Sequence, residues 1–352
     1  MLEIINIEQS DKWNKIVKSF NNYDVYYLPE YVAAFQINGD GEPLLFYYEG
    51  SGIKAMNVVM KRDIALDEKF KGEIPLNSYY DIATPYGYGG FLLEGEITKS
   101  SLELLDKEYS AKCVEDGIVS EFVRFHPVLE NDEKLEGIYD ISKLGKTITM
   151  RLDSSEQIWG NLISKNRNVI RKAKKASVEI YWGRSTGLIE KFIELYKATM
   201  EKDNAKDYYY FKKDFYNSVL KDLRYNSMIF YAVYEEKIIS MSMILFSNNQ
   251  IHYHLSASEQ NYQHLASTNL LLFEAACWGV ENGYKTFHLG GGLGSQEDSL
   301  YKFKKAFNRN SETRFSIGKK VFSEKVYNNL IQLSKKNNNQ ENNADFFPEY
   351  RG

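Results

Sequence analysis

Cysteine is nearly missing from this chain: Cys113 and Cys277 are the only two in 352 residues. Neither stands in a CxxC pair or at a Cys/His ligand spacing, which excludes a zinc module and a disulfide framework. Both read as reduced, buried thiols. Proline is also scarce, with six in all. The opening MLEIINIEQSDKW lacks a basic segment followed by an apolar one, so it does not read as a secretory leader. Long hydrophobic runs are missing too. The most apolar helix-like stretch, residues 270–280, is too short to span a bilayer and carries Glu274. With no transmembrane segment, a cytoplasmic location is expected, one compatible with peripheral membrane contact. Charge of one sign is not in excess either: 44 basic and 48 acidic residues leave −4, so the molecule as a whole does not attract polyanions through its net field.

Aromatic residues are abundant instead, with 27 Tyr and 20 Phe. Rings of this kind give surfaces that are apolar on the body and hydrogen-bonding at the tip. The 43% hydrophobic and 26% charged content is that of a globular protein, and the length predicts about two domains. Element patterns predict a mixed α/β fold. In the first half, a hairpin turning at 49–52 is followed by a strand near 78–83, the loop 85–90, a helix over 100–116 and a strand over 118–125. The second half has helices over 155–175, 188–202 and 212–222. A hairpin turning at 235–237, a strand over 250–257, a helix over 267–282 and the strand KTFHLGG follow them. Hairpin, strand, loop, helix, strand thus occurs twice, which predicts two copies of one unit. The expected division is 1–146, 147–335 and a tail, 336–352. In that tail a polar linker over 335–343 precedes an apolar cluster, FFPEYRG, expected to dock.

Two stretches carry chemistry. Residues 157–178 hold no acidic residue but contain Lys165, Arg167, Arg171, Lys172, Lys174 and Lys175. On a helix, Arg167, Arg171, Lys174 and Lys175 share a face opposite Leu162, Ile170 and Ala173, which suits either solvent or a phosphate-rich ligand. The second stretch is FHLGGGLGSQEDSLYKFKKAF. Gly290, Gly291 and Gly292 let backbone approach a ligand without a Cβ between. Ser295 with Asp298 resembles a capping box, so a helix should begin there and present its N-terminus to an anion or a developing oxyanion. The GxxxxGK[ST] phosphate loop is absent, and the strand comes too late in its domain to open a dinucleotide-binding unit.

HLGGG followed by DSLYKFKKAF resembles the closing motif of the Fem aminoacyltransferases, which build peptidoglycan cross-bridges and are tandem-domain members of the GNAT superfamily. YDIATPYGYGG, EFVRFHP, RNVIRKAKKASVEI, ELYKATMEKDNAKDYYYF and FFPEYR resemble further segments of that group. The resemblance implies two tandem GNAT-like domains and N-acyl transfer onto an amine of a cell-wall or surface-glycan precursor, nucleotide- or lipid-linked. It also implies that Phe303 and Lys304 lie near the aminoacyl donor, and that Lys206, Tyr209 and Tyr210 lie near acceptor phosphates. No heptad run marks a coiled-coil arm, and YLPEYVAAF lacks the basic residue often found there in the group.

No tightly bound cofactor and no metal site are expected; His252 and His254 alternate on one strand but lack further ligands. The donor is a co-substrate, either aminoacyl-tRNA or acyl-CoA. In CoA-dependent relatives a Q/RxxGxG/A motif binds the pyrophosphate. Here the corresponding residues are Gln263, His264, Leu265, Ala266, Ser267 and Thr268, with bulkier groups at both glycine places, which favours tRNA. Lys304 is expected to supply positive charge to the donor carbonyl, and the amides of residues 290–292 to assist. His254 and Asp298 are the candidate proton acceptors. Tyr86, Tyr88, Tyr209 and Tyr210 are candidates to stack on sugar or base faces, and Tyr301, beside the apolar stripe of its helix, is a further candidate for substrate binding. No GxSxG and no Cys–His pair appears, and direct acyl transfer needs no enzyme nucleophile. Two other readings stand beside this one: an acyl-CoA-dependent N-acyltransferase acting on an amino sugar, and a binding module that kept the fold without chemistry.

Overall fold

The structure, a computed structural model, describes residues 1–337 and 346–352. Most of the expected linker therefore lies outside the described residues. The chain divides into two compact units, Met1–Leu144 with Ser316–Gly352, and Gly145–Phe315. In the first stretch run β1 (Leu2–Asn6), α1 (Ser10–Lys18), α2 (Pro29–Asn38), β2 (Glu42–Gly50), β3 (Ile53–Asp63), β4 (Tyr80–Ala83), β5 (Leu92–Gly95), α3 (Lys99–Glu115), β6 (Ile118–Arg124) and β7 (Asp140–Lys146). The second unit contains β8 (Ile148–Arg151), α4 (Ser155–Asn161), α5 (Ser164–Lys175), β9 (Glu179–Gly183), α6 (Thr186–Lys202), α7 (Lys213–Lys221), β10 (Ser227–Tyr234), β11 (Lys237–Ser247), β12 (Gln250–Ser258), α8 (Ser267–Glu281), β13 (Thr286–Gly290) and α9 (Ser299–Lys305). Then β14 (Arg314–Val321) and α10 (Glu324–Asn337) follow.

Local chemistry sets these bounds. Pro29 opens α2, where its missing N–H costs nothing, and Gly39 closes it in the left-handed region at φ 104°. Thr98 and Ser101 form a reciprocal cap on α3. The β2–β3 turn uses Ser51 and Gly52 at positive φ, whereas the β10–β11 turn places two glutamates, Glu235 and Glu236, at φ 47° and 61°. Positive φ at both central positions matches the twist of a two-residue hairpin, but side chains make it costly.

The first sheet has the order β1-β2-β3-β4-β6-β14-β7, with β5 also paired to β3; the second has β8-β13-β12-β11-β10-β9. The duplication is visible in the pairing. β2–β3–β4 is antiparallel and β4–β6 parallel, while β10–β11–β12 is antiparallel and β12–β13 parallel. A helix, α3 or α8, makes each parallel crossover.

Four differences from the sequence reading have physical causes. The helix expected over 155–175 is two helices, because Leu162 and Ile163 are extended, at ψ 143° and 152°. The boundary expected at 146/147 falls between two strands, β7 and β8, rather than in a loop. The expected second unit, 147–335, extended past the division seen here, since β14 pairs with β6 and α10 packs on that strand. Short strands β5 and β9 were not read.

In the second unit one apolar cluster unites α4, α5 and α8 with one face of the sheet, through Phe230, Ile244, Phe246, Ile251, Phe287 and Leu289. Helix α6 packs on β11 and β12 with α7 beside it, and its buried Ile189, Phe192, Leu195 and Tyr196 lie outside that cluster. It therefore covers the opposite face. In the first unit the core encloses an acid. Glu121 on β6 is fully buried and accepts hydrogen bonds from Asn57 Nδ2 at 2.7 Å and from the Tyr109 and Tyr139 hydroxyls, each at 2.9 Å. Burial pushes its carboxyl up to about 7 despite these donors.

Candidate active site

The glycine loop leaves β13 through Gly290, at φ 79°. A Cβ on Gly292 would stand 2.0 Å from the Gln296 carbonyl oxygen and 2.4 Å from Asp298 Oδ1, so only glycine fits there. Asp298 is the N-cap of α9. Its Oδ1 accepts from the Tyr301 amide at 2.8 Å and its Oδ2 from the Leu293 amide at 3.1 Å. These backbone bonds hold its carboxyl below the usual range. A carboxylate so committed is a poor proton acceptor, and its visible work is to tie the loop to the helix.

The same helix turns Lys304 back under the loop. The side chain is buried, at 9% exposure, and Nζ donates to the Gly291 carbonyl oxygen at 2.7 Å. Burial lowers its pKa to about 8, with Asp298 opposing the fall. Lys304 thus stays charged at neutral pH, and its ammonium has two further N–H bonds beyond the one given to Gly291. Tyr301 packs into the apolar cluster, while Phe303 is half-buried against it and meets Phe307 edge-on at 5.5 Å.

A polar row beside the loop was not legible in the sequence. His252, His288 and Thr149 face one another in register across β12, β13 and β8. All three are buried, and their neighbours in sequence, Ile251, Phe287, Leu289, Ile148 and Met150, point into the apolar cluster on the other side. His288 Nδ1 lies 2.8 Å from Thr149 Oγ1, which lies 3.0 Å from Thr313 Oγ1; Thr147 Oγ1 donates to the latter at 3.1 Å. Ser311 donates to the Thr147 carbonyl and accepts from the Thr149 amide. The alternating Thr147/Thr149 and Ser311/Thr313 pairs were the available signal.

The remaining candidates sit elsewhere. His254 does not alternate regularly with His252: the β11–β12 register shifts between Met243, opposite Leu255, and Ile244, opposite Tyr253, leaving His254 in the bulge. Burial and His252 lower its pKa to about 3, so it is a neutral imidazole and a weak base at pH 7. Arg167 donates to the carbonyl oxygens of Leu162, Trp159 and Gly160 and to Ser164 Oγ, closing the C-terminus of α4. Arg171 lies over the Trp159 ring at 5.0 Å. Both arginines therefore have structural partners. Lys206, Tyr209 and Tyr210 lie on the α6–α7 connection, whose helices cover the face of the sheet opposite the apolar cluster, the face that His252, His288 and Thr149 also point to. Tyr86 and Tyr88 belong to the first unit. Tyr86 stacks on Phe35 with the Arg124 guanidinium 5.7 Å from its ring, and Tyr88 meets Tyr26 edge-on. A groove of about 790 Å³ in that unit, lined by Ile97, Lys99, Leu102 and Lys134, includes none of these residues.

Comparison with known proteins gives this geometry a frame. The crystal structure of FemX matches with TM-score 0.64 at 14% identity, covering 93% of this chain and 99% of that one. A tandem GNAT protein from the clavulanic acid biosynthesis pathway matches with TM-score 0.51 at 6% identity, over 92% and 99%. The fold is that of a tandem GNAT protein. A conserved protein of unknown function from Bacteroides thetaiotaomicron has the same architecture, with TM-score 0.58 at 11% identity over 91% and 100%. Residues 163–305 match the family model described as an acetyltransferase (GNAT) domain, a span that holds the glycine loop and ends just past Lys304. No curated protein matches the chain. No described helix is long and apolar enough to cross a membrane.

Proposed function

We propose that the protein is an N-acyltransferase that moves an aminoacyl group from aminoacyl-tRNA to an amine of a peptidoglycan or other cell-surface glycan precursor. The observation that carries this reading is Lys304: a buried ammonium fixed by α9 against the Gly291 carbonyl of a loop that Gly292 lets pack tightly on Gln296 and Asp298. The amine nitrogen attacks the ester carbonyl carbon, and negative charge grows on the carbonyl oxygen. Lys304 directs its remaining N–H bonds at that oxygen in a site where burial strengthens the interaction. The C–O bond to the tRNA ribose then breaks. The proton leaving the amine balances the one gained by the ribose oxygen.

The exposed lysines of α5, Lys165, Lys172 and Lys175, supply the contact to tRNA phosphates; none has a structural role comparable to that of Arg167. The amine-bearing precursor is the acceptor partner, and no resident cofactor takes part. A second donor reading, acyl-CoA, is favoured by one observation: α8 begins at Ser267 without a capping side chain, as a pyrophosphate-binding helix would. Against it, Ala266 and Thr268 stand where glycines would admit the pyrophosphate, and Ala266 occupies the left-handed region at φ 51°.

Parallel incubations decide between the donors. Radiolabelled aminoacyl-tRNA and radiolabelled acetyl-CoA are each offered with an amine-bearing nucleotide-linked muropeptide. Product from the tRNA arm alone is expected. Product from acetyl-CoA alone overturns the first reading, and binding without product in either arm favours a module without chemistry.

A further inference from the structure

Residues 346–352, Phe-Phe-Pro-Glu-Tyr-Arg-Gly, do not extend any strand or long helix, yet they bury a tyrosine and an arginine in specific contacts with the first unit. Tyr350 is fully buried among Ile64, Phe70, Val119, Tyr327 and Leu330. Its ring meets Phe70 and Tyr327 edge-on at 6.0 and 5.3 Å, and Phe347 stacks on Tyr327 at 5.9 Å. The Tyr350 hydroxyl lies 2.9 Å from Ser120 Oγ and donates to Asp81 Oδ2 at 3.2 Å. Arg351 donates through Nε to the buried Asp81 at 2.5 Å and through Nη1 to Asp67 at 3.1 Å.

Two lysines hold the segment: Lys335 pairs with Glu349 at 2.9 Å, and Lys69 donates to the Gly352 carbonyl at 2.6 Å. The Glu349 amide donates to the Tyr327 hydroxyl at 3.1 Å. An aromatic slot, a carboxylate pair and two flanking lysines are the parts of a peptide-binding site. They are supplied by residues 64–81 and β6, both distant in sequence from the segment, and by the preceding helix α10.

We propose that residues 346–352 are a separable peptide ligand and that the first unit carries a pocket for the sequence Phe-Phe-Pro-Glu-Tyr-Arg-Gly, which the chain fills with its own segment. Asp81 and Asp67 read the arginine, and the slot between Phe70 and Tyr327 reads the tyrosine. The sheet of the unit and the cluster around Phe46, Val59 and Leu105 do not include the segment, whose Tyr350 belongs to the smaller cluster with Phe70 and Tyr327; the proposal requires the unit to stay folded when the segment leaves. In the intact chain the tethered copy outcompetes free peptide through its high effective concentration.

The test uses the full chain carrying Tyr350→Ala and Arg351→Ala, which vacates the slot and the acid pair together. A fluorescein-labelled peptide FFPEYRG is titrated into it and followed by anisotropy, with circular dichroism reporting the fold. Saturable binding to the folded variant is expected. Affinity should fall at least tenfold for a peptide with Arg351→Ala, and the wild-type chain should bind at least tenfold more weakly. The single variant Arg351→Ala, which keeps Tyr350 in its slot, is the second measurement and should bind with intermediate affinity. Loss of fold in the double variant makes the segment integral rather than separable and overturns the proposal, as does a folded chain of either kind that takes up no peptide.

Discussion

Lys304 is the residue on which the proposed chemistry turns, and its burial makes two measurements informative. Replacement by Met keeps most of the buried volume and removes the charge. Transfer should fall about 10²–10³-fold while the melting temperature stays within a few degrees. Ala is the poorer probe, since it adds a void to the unpaired Gly291 carbonyl that either replacement leaves. Lowering of the lysine's pKa to about 8 fixes a pH signature. The transfer rate should decline as pH rises through about 8 and the ammonium is lost, and this limb should vanish in Lys304→Met. For stability the sign is opposite. Between about 8 and the ordinary lysine value of 10.5, the unfolded chain binds more protons at this position than the folded one, so the contribution of Lys304 to stability rises with pH. Urea unfolding of wild type and Lys304→Met across that window measures the difference. Gly292→Ala tests the loop itself: the added Cβ meets a carbonyl at 2.0 Å, so the loop must shift, and activity should drop with Lys304 untouched.

At the scale of elements, the repeated strand–helix order was legible because each unit alternates hairpin, crossover helix and strand with clear turn residues. The break at Leu162 was not legible, since an apolar run across 162–163 continues the helical pattern. What stops the helix is a side chain arriving from the next one: Arg167 caps α4. Arg167→Ala should therefore lower the melting temperature and leave the affinity for tRNA nearly unchanged. Lys172→Glu with Lys175→Glu should leave stability alone and weaken tRNA binding, most strongly at low salt, as filter binding would measure. The glycine loop and α9 were legible because glycine and a capping aspartate carry meaning in sequence. The row His252–His288–Thr149 was not, because cross-strand register is set by pairing between distant segments, and the bulge at His254 shifts the apparent alternation. The β10–β11 turn shows the same limit. Nothing in Glu235-Glu236 announces two positive φ values, and replacing the pair with Asn-Gly should add about 1 kcal/mol of stability.

For the whole molecule, the buried acid of the first unit contributes a pH dependence in the physiological range. Glu121 titrates at about 7 in the fold against 4.5 for the ordinary group, so the folded state holds a proton there that the unfolded chain has lost. Its contribution to stability is present at low pH and declines as pH rises from about 4.5 to 7. Asn57, Tyr109 and Tyr139 bond it, and Lys320 and Cys113 stand near enough to interact. Glu121→Gln should flatten that decline in urea titrations between pH 5 and 8; an unchanged slope would assign it to other groups.

The path of the chain has a consequence for how the protein is made. Because residues 145–315 lie between two parts of the first unit, the ribosome delivers every strand of the second sheet before it delivers β14, α10 and the docking segment. The unit that starts first in translation is thus the last to be finished. It must wait, with β6 lacking its β14 neighbour, while its successor folds.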